Sequence, residues 1–352
     1  MRTLNIVTAV LALMTPVLVG CEGGSSGGAA PTGTGSAGAT AAPGGKPKIA
    51  VMIYKFDDTF MSYVRRTIEA SAKDRADLNV VDSQNQQPTQ NDQVDQFLVQ
   101  GYKALAINPV DRAAVSVIID KVKAKNVPVV FFNREPTAAD MGKWDRIYYV
   151  GAKAEQSGAL QGEIVVDYWK ANPTADRNKD GKIQYVMLTG EPGHQDALLR
   201  TEHSIKAITA AGLQVEKLAE DTAMWDRVKG QEKMAAFLAA HGDKIEVVLA
   251  KNDDMALGAI EGLKAAGYFA ADKFMPVVGV DATPPALDAL AKGTLLGTVL
   301  NDAKNQGKAT FELVHALATG APAQTSVAPI TDGKFVWVPY QKVTKANYEQ
   351  FK

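Results

Sequence analysis

From residue 47 onward, short apolar runs alternate with longer stretches in which apolar residues recur every three or four positions. The runs are rich in Val and Ile and are too short to be helices, which is typical of parallel strands buried on both faces. The intervening stretches are typical of helices that cover a sheet. The predicted strands are 49–54, 78–83, 103–107, 127–133, 147–151, 183–190, 214–220, 245–252, 274–281 and 295–302.

This number of strands is large for one doubly wound sheet. We therefore predict an α/β protein with two Rossmann-like lobes, each a parallel sheet covered by helices on both faces. The length of 352 residues agrees, because domains usually hold roughly 100–200 residues each.

The first 47 residues have a different character. Residues 1–20 combine an arginine near the start with an apolar run, as a secretory signal peptide does. The sequence Leu-Val-Gly-Cys at 18–21 resembles the lipobox of bacterial lipoproteins, which implies that Cys21 is lipidated. Residues 22–47 are almost entirely Gly, Ser, Ala, Thr and Pro, and we expect a flexible tether there. The alternatives are an ordinary signal peptide or a transmembrane helix.

Composition excludes several classes of protein. The 38 basic residues are balanced by 39 acidic ones, whereas a nucleic-acid-binding protein normally carries a basic surface. The single cysteine excludes a disulfide framework and a cysteine-rich zinc site. A G-x-G-x-x-G match at 33–38 lies inside the tether, with no predicted strand before it, so it does not indicate a dinucleotide site.

Polar residues collect where the predicted strands end. Six strand ends carry Asp or Asn, and the turns add aromatic side chains such as Phe60 and Trp225. Ligand groups in open α/β sheets lie at these carboxyl ends, although any single Asp or Asn there could simply cap a helix. Carboxylates, amides and aromatic rings together, with few lysines, favour a ligand that carries several hydroxyl groups.

Residues 176–184, DRNKDGKIQ, follow the calcium-loop pattern D-x-[DN]-x-[DN]-G. Oxygen atoms at loop positions 1, 3, 5, 7 and 9 suit calcium. Position 12 is Met187 rather than the glutamate of an EF-hand, so the closing carboxylate must come from elsewhere. A turn without metal is the alternative.

Several segments together resemble the periplasmic galactose- and glucose-binding proteins. The segments include KFDDTFMSYVRRTIE, NVPVVFFNREP, DRNKDGKIQYVMLTGEPGHQDALLR, DTAMWD, KIEVVLAKNDDMALGA and GTVLNDAKNQGKATF. They run in order from about residue 48 to the C-terminus. The resemblance implies the type I periplasmic binding-protein fold, with a sugar in the cleft and calcium in the second lobe.

The resemblance also implies boundaries and roles. Residues 48–152 and about 301–334 would form the N-terminal lobe, and residues 153–300 and about 335–352 the C-terminal lobe, joined by three crossings. Phe60 and Trp225 would sandwich the sugar ring, and Tyr54 would lie at the rim. The other implied sugar ligands are Asp58, Asn133, His194, Asp196, Arg200, Asn252, Asp281 and Asn301. The implied calcium ligands are Asp176, Asn178, Asp180, the Lys182 carbonyl, Gln184 and Glu246.

The expected function is therefore capture of D-galactose or D-glucose for delivery to an ABC importer, by a monomeric, exported, membrane-anchored lipoprotein without enzymatic activity. Presentation of the closed form to a chemoreceptor or a sensor kinase is the alternative, as is binding of a related monosaccharide. Lys251 and Asp254 depart from the usual pattern beside the cleft, and we expect these charges to bear on selectivity.

Overall fold

The computed structural model describes residues 45–270 and 273–352. The predicted signal peptide, Cys21 and the tether up to residue 44 lie outside the described residues.

Strands and helices alternate through most of the described chain. The strands are β1 (Lys48–Ile53), β2 (Asp77–Asp82), β3 (Ala104–Ile107), β4 (Val129–Phe132), β5 (Ile147–Gly151), β6 (Lys182–Thr189), β7 (Gln214–Thr222), β8 (Val247–Ala250), β9 (Val277–Val278), β10 (Gly297–Leu300), β11 (Ile330–Thr331), β12 (Phe335–Trp337) and β13 (Gln341–Thr344). The helices are α1 (Thr59–Ala72), α2 (Gln87–Val99), α3 (Val115–Ala124), α4 (Ala138–Met141), α5 (Ala154–Ala171), α6 (Gln195–Ala210), α7 (Arg227–His241), α8 (Asp253–Ala265), α9 (Pro284–Ala291) and α10 (Ala303–Ala318).

The strands form two sheets. The first has the order β11-β12-β5-β4-β3-β1-β2 and the second the order β13-β10-β9-β8-β6-β7. Neighbouring strands run parallel, except that β11 is antiparallel to β12 and β13 is antiparallel to β10. The predicted pair of α/β lobes is thereby confirmed.

Each lobe has hydrophobic core on both faces of its sheet. The central strands are buried throughout, as β3, β4 and β8 are, which explains their unbroken apolar sequences. The helices bury one stripe each: in α1 the buried residues are Phe60, Met61, Val64, Ile68 and Ala72, at helical spacing. Burial of these faces is the main favourable contribution to folding.

The chain passes between the lobes three times. The first two passages follow β5 and β10, since α5 packs against the second sheet and α10 against the first. The third lies between β12 and β13, because Phe335–Trp337 pairs with β5 whereas Gln341–Thr344 pairs with β10. This corrects the expected boundary at about residue 335, which falls inside the first lobe. Strands β11 to β13 were not predicted, because segments of two to four residues are too short to show a periodic pattern of apolar residues.

Candidate functional site

A cavity lined by side chains of both lobes lies where strands of the two sheets end. Its lining residues are Tyr54, Asp58, Phe60, Met61, Asn133, Arg134, His194, Asp196, Arg200, Trp225, Asn252, Asp281 and Asn301. The structure therefore brings together every side chain implied as a sugar ligand, and adds Met61 and Arg134. The space between them is about 360 Å³, including the part open to solvent. This is near the lower end for ligand pockets and suits a small molecule.

The wall from the first lobe is built around Asp58, which precedes α1. Its Oδ1 accepts a hydrogen bond from the Met61 backbone N–H (2.7 Å), and its Oδ2 accepts one from the Tyr54 hydroxyl (2.6 Å). Asp58 is thus both a helix cap and part of the cavity wall. Tyr54 is buried, with 1% of its surface exposed, so it does not lie at the rim as expected.

Arg200 occupies the centre of the wall from the second lobe. Its Nε donates to Ser157 Oγ (3.2 Å) and its Nη1 to the Lys251 carbonyl (2.9 Å). Its Nη2 donates to Asp196 Oδ2 (3.1 Å) and to the Tyr340 hydroxyl (3.0 Å). Four of the five guanidinium hydrogens therefore have protein partners, and one hydrogen on Nη1 is left for a ligand. These four bonds also fix the orientation of the guanidinium group.

His194 caps α6 and contributes a neutral imidazole. Its Nδ1 accepts a hydrogen bond from the Asp196 backbone N–H (3.1 Å). Burial, together with the nearby Arg134 and Arg200 charges, lowers the pKa of His194 well below its usual value. The single ring proton is therefore assigned to Nε2, which can donate to a ligand oxygen.

The remaining polar residues in the cavity wall of the second lobe already use some of their donors and acceptors in hydrogen bonds within the protein. Asn252 caps α8 through Oδ1, bonded to the Met255 N–H at 2.9 Å, and donates to the Trp225 carbonyl at 3.1 Å. Asn301 donates to Asp281 Oδ1 at 3.2 Å. Burial raises the pKa of Asp281 well above its usual range, although the Arg200 charge opposes this. A buried carboxylate in this position is stabilised by hydroxyl donors from a ligand.

Two aromatic residues complete the cavity from opposite lobes, Phe60 (7% exposed) and Trp225 (9% exposed). The indole packs so tightly on Gly190 that a Cβ there would lie 1.9 Å from Trp225 Cζ2. Trp225 (φ 62°), Asn133 (φ 61°) and Asp281 (φ 131°) all have positive φ angles that such residues rarely adopt. Backbone strain of this kind collects at functional sites, where it directs side chains toward a ligand.

Lys251 and Asp254 do not line the cavity. The Lys251 side chain is fully buried behind the site, and its Nζ bonds Gln161 Oε1 and Ser204 Oγ, both at 2.7 Å. Lys251 therefore has no direct contact with the cavity, because its side chain points into the packing between α5 and α6, and its effect on selectivity stays a prediction.

The loop before β6 brings together the six residues implied as calcium ligands. Glu246 is buried, and its carboxylate accepts hydrogen bonds from the backbone N–H groups of Arg177 (2.8 Å) and Gln184 (3.1 Å). It therefore connects the two ends of the loop. Asp176 accepts from the Gly181 N–H at 2.9 Å. Gln184 Oε1 is buried and has no hydrogen-bond partner. The Gln184 amide also donates to Asp180 Oδ2 at 2.7 Å, so the orphaned oxygen lies on a residue bonded to two carboxylates, which fits an oxygen-ligated cation.

Cysteine, histidine and acidic side chains alone do not form a metal cluster of three or more in the described part of the chain. A cation in the loop would accordingly need the amide and carbonyl oxygens of Asn178, Lys182 and Gln184 as well as the carboxylates.

Arg134 is the charged cavity residue that the sequence analysis missed; Met61 was missed as well. Arg134 follows Asn133 directly at the end of β4, so its place at the strand end was visible in the sequence. Its role was not, because its partners come from distant segments. Nη1 donates to the Val110 carbonyl (2.7 Å), Nη2 pairs with Glu191 Oε2 (2.8 Å), and the guanidinium lies 3.7 Å from the centre of the Tyr54 ring.

Comparisons with known proteins agree with this architecture. The family model described as "Periplasmic binding protein domain" matches residues 49–322. The chain is 48% identical to the D-galactose/methyl-galactoside binding periplasmic protein MglB of Haemophilus influenzae, over 86% of this chain and 91% of that protein. A putative rhizopine-binding protein of Rhizobium meliloti is 33% identical, over 84% of this chain and 90% of that one.

A solved structure is also similar. It is an ABC transporter solute binding protein from Bacillus halodurans with bound myo-inositol, at a TM-score of 0.74 and 30% identity. The match covers 87% of this chain and 97% of that one.

A two-lobed α/β fold with a polar, aromatic-lined cavity between the lobes defines a solute-binding protein, and this chain belongs to the periplasmic binding proteins. The predicted resemblance to this family is confirmed by the 48% identity to a D-galactose/methyl-galactoside binding protein. Across the described ranges, we find no helix long and apolar enough to span a membrane.

Proposed function

We propose that this protein captures a neutral hexose, D-galactose or D-glucose, and delivers it to an ABC importer. The observation that carries the proposal is the cavity wall, where carboxylates and amides alternate with two aromatic side chains from opposite lobes. Carboxylates accept hydrogen bonds from sugar hydroxyls, and side-chain amides can both donate and accept them. Aromatic rings cover the C–H faces of a pyranose.

Capture depends on both lobes. Asp58, Phe60 and Asn133 reach the cavity from the first lobe, and Arg200, Trp225 and Asn252 reach it from the second. A sugar between them gains the full set of contacts only when the lobes are together, so it favours the closed conformation. The importer can then distinguish loaded from empty protein by the relative position of the lobes.

Calorimetric titration of the purified protein, with calcium present, tests this proposal. We expect one-to-one binding of D-galactose or D-glucose and much weaker binding of D-ribose, D-xylose and myo-inositol. The sugar should be recovered unchanged, since we infer no enzymatic step. Tight binding of ribose or myo-inositol instead would identify a related but different solute. The absence of heat with all five compounds would overturn the proposal.

We further propose that the loop at 176–184 holds calcium, with Glu246 closing the coordination shell. The support is the buried, unpartnered Gln184 Oε1 beside the carboxylates of Asp180 and Glu246. A bound ion would fix the start of β6 against the segment before β8, because its ligands come from both.

The lipid anchor at Cys21 is a separate proposal, supported by the lipobox at 18–21 and the tether that follows. Such an anchor would keep the receptor close to a membrane-bound importer. Partition of the full-length protein into a detergent phase, lost in Cys21→Ser, is the expected result. Equal partition of both proteins into the aqueous phase would contradict it.

A further inference from the structure

Two segments from opposite lobes contact each other beside the cleft. One is the loop after β4, which carries Arg134 and Glu135, and the other runs from Glu191, after β6, to Gln195 at the start of α6. Arg134 Nη2 lies 2.8 Å from Glu191 Oε2, and Gln195 Nε2 donates to Glu135 Oε2 at 3.1 Å. Both contacts join the first lobe to the second.

The Arg134–Glu191 pair differs from the other ion pairs within residues 45–270 and 273–352. It is the one that joins the two lobes, since the partners of every other pair belong to the same lobe. It is also well shielded, with the Arg134 side chain 5% exposed and that of Glu191 14% exposed. Shielded charges interact more strongly than exposed ones, and separating them leaves each in need of a new partner.

Arg134 is held in the first lobe independently of Glu191. The Val110 carbonyl accepts from its Nη1, and its guanidinium stacks over the Tyr54 ring, whose hydroxyl in turn bonds Asp58. The guanidinium is therefore positioned before the lobes meet, and its Nη2 presents a ready site for the Glu191 carboxylate. Closing such a preorganised contact costs little side-chain entropy.

We propose that Arg134 and Glu191 form a closure latch: their ion pair exists only while the lobes are together, and it sets how long a captured sugar stays bound. This inference rests on the proposed function. The latch stabilises the closed conformation, and Glu191 does so without contacting the solute, because it does not line the cavity. Opening must break it, so its effect falls on the rate of sugar release rather than on the rate of capture.

Stopped-flow release of the bound sugar, followed by the intrinsic tryptophan fluorescence of the protein, tests the latch. Glu191→Gln keeps the size of the side chain and removes its charge without altering the cavity wall. We expect its release rate to rise by at least about tenfold, while the capture rate changes by less than about threefold. Lys233→Met, which breaks an ion pair with Asp221 inside the second lobe, is the matched control and should release sugar at the wild-type rate.

A double-mutant cycle separates the latch from direct sugar binding by Arg134. If the two residues act as a pair, Arg134→Met and Glu191→Gln combined should accelerate release by clearly less than the product of their separate effects. Wild-type release from Glu191→Gln, or multiplicative effects in the double variant, would overturn the latch. Thermal melts of each variant establish that it is folded.

Small-angle scattering without sugar keeps the latch testable even if the proposed hexose does not bind. Removing the pair should shift the population toward the open form, so Glu191→Gln should have a larger radius of gyration than wild type. Equal radii would count against the latch, whereas failure of wild type to bind any hexose would count against the proposed function alone.

Discussion

At the scale of single residues, side chains that cap helices also form the site. Asp58, His194 and Asn252 each accept a backbone N–H at the start of a helix and each line the cavity. The cap satisfies one acceptor and fixes the side-chain rotamer, so the remaining donors and acceptors point in defined directions. The sequence left open whether such a residue is a cap or a ligand group, and the structure shows that one residue can cap a helix and also line the cavity.

Loss of either aromatic face should weaken sugar binding. Phe60→Ala or Trp225→Ala should each cost on the order of 1–3 kcal/mol of binding free energy, because each removes apolar cover from one side of the ring. Titration calorimetry measures this. Phe274→Ala is a matched control, since Phe274 is 37% exposed and packs against Tyr168 and Phe269 away from the cavity. Wild-type affinity in both cavity variants would exclude the sandwich.

Lys251 should make stability depend on pH. Burial lowers its pKa well below the usual value, whereas in the unfolded chain it stays at about 10.4. Between these values the unfolded state binds the extra proton, so stability contributed by this site rises with pH. Relative to Lys251→Met, wild type should gain up to about 1.4 kcal/mol of unfolding free energy per pH unit in that window.

Urea denaturation of both proteins from pH 7 to 9.5 measures the difference. Lys233→Met removes a half-buried lysine that pairs with Asp221 and serves as the matched control variant. Parallel pH curves for wild type and Lys251→Met would show that the buried amine does not titrate in this range.

At the scale of elements, β6 connects the candidate calcium loop at one end with the cavity between the lobes at the other. Its start joins the loop 176–184, and its end leads into Gly190, Glu191 and His194 at the cleft. Glu246, just before the neighbouring β8, accepts from backbone N–H groups at both ends of the loop. The sequence identified the loop, but the closing carboxylate could be supplied only by resemblance, since it lies 62 residues from Gln184.

Removal of calcium should destabilise the protein without unfolding it. An ion that binds only the folded chain adds about 2.7 kcal/mol at a hundredfold excess over its Kd, so chelation should lower Tm by several degrees. Calorimetric melts with and without chelator measure this. In Asp176→Asn the shift should largely disappear, whereas Asp243→Asn, an exposed acid bonded to Tyr268, should keep it. If chelator leaves the Tm of the wild-type protein unchanged, the loop does not hold calcium.

At the scale of the whole molecule, Arg200 links the cavity to the third passage between the lobes. It bonds Asp196 and the Lys251 carbonyl in the cavity wall, and its other partner, Tyr340, lies in the segment between β12 and β13. The Tyr340 backbone N–H in turn donates to Gln156 in α5 (3.2 Å). Arg200, a residue of the cavity wall, is thus anchored to a segment that connects the two lobes.

The alternation of strands and helices can be read from the sequence, because a parallel strand covered on both faces has to be apolar throughout, as β3 and β8 are. The candidate ligands at the strand ends can be read there too, because parallel strands end at a common edge. Three features depend on the tertiary structure: Arg134 pairs with Glu191, Lys251 is buried outside the cavity wall, and Phe335–Trp337 belongs to the first sheet. Local sequence patterns indicate which positions are buried and which secondary structure they form. These contacts instead depend on how segments that are distant in the chain pack against each other.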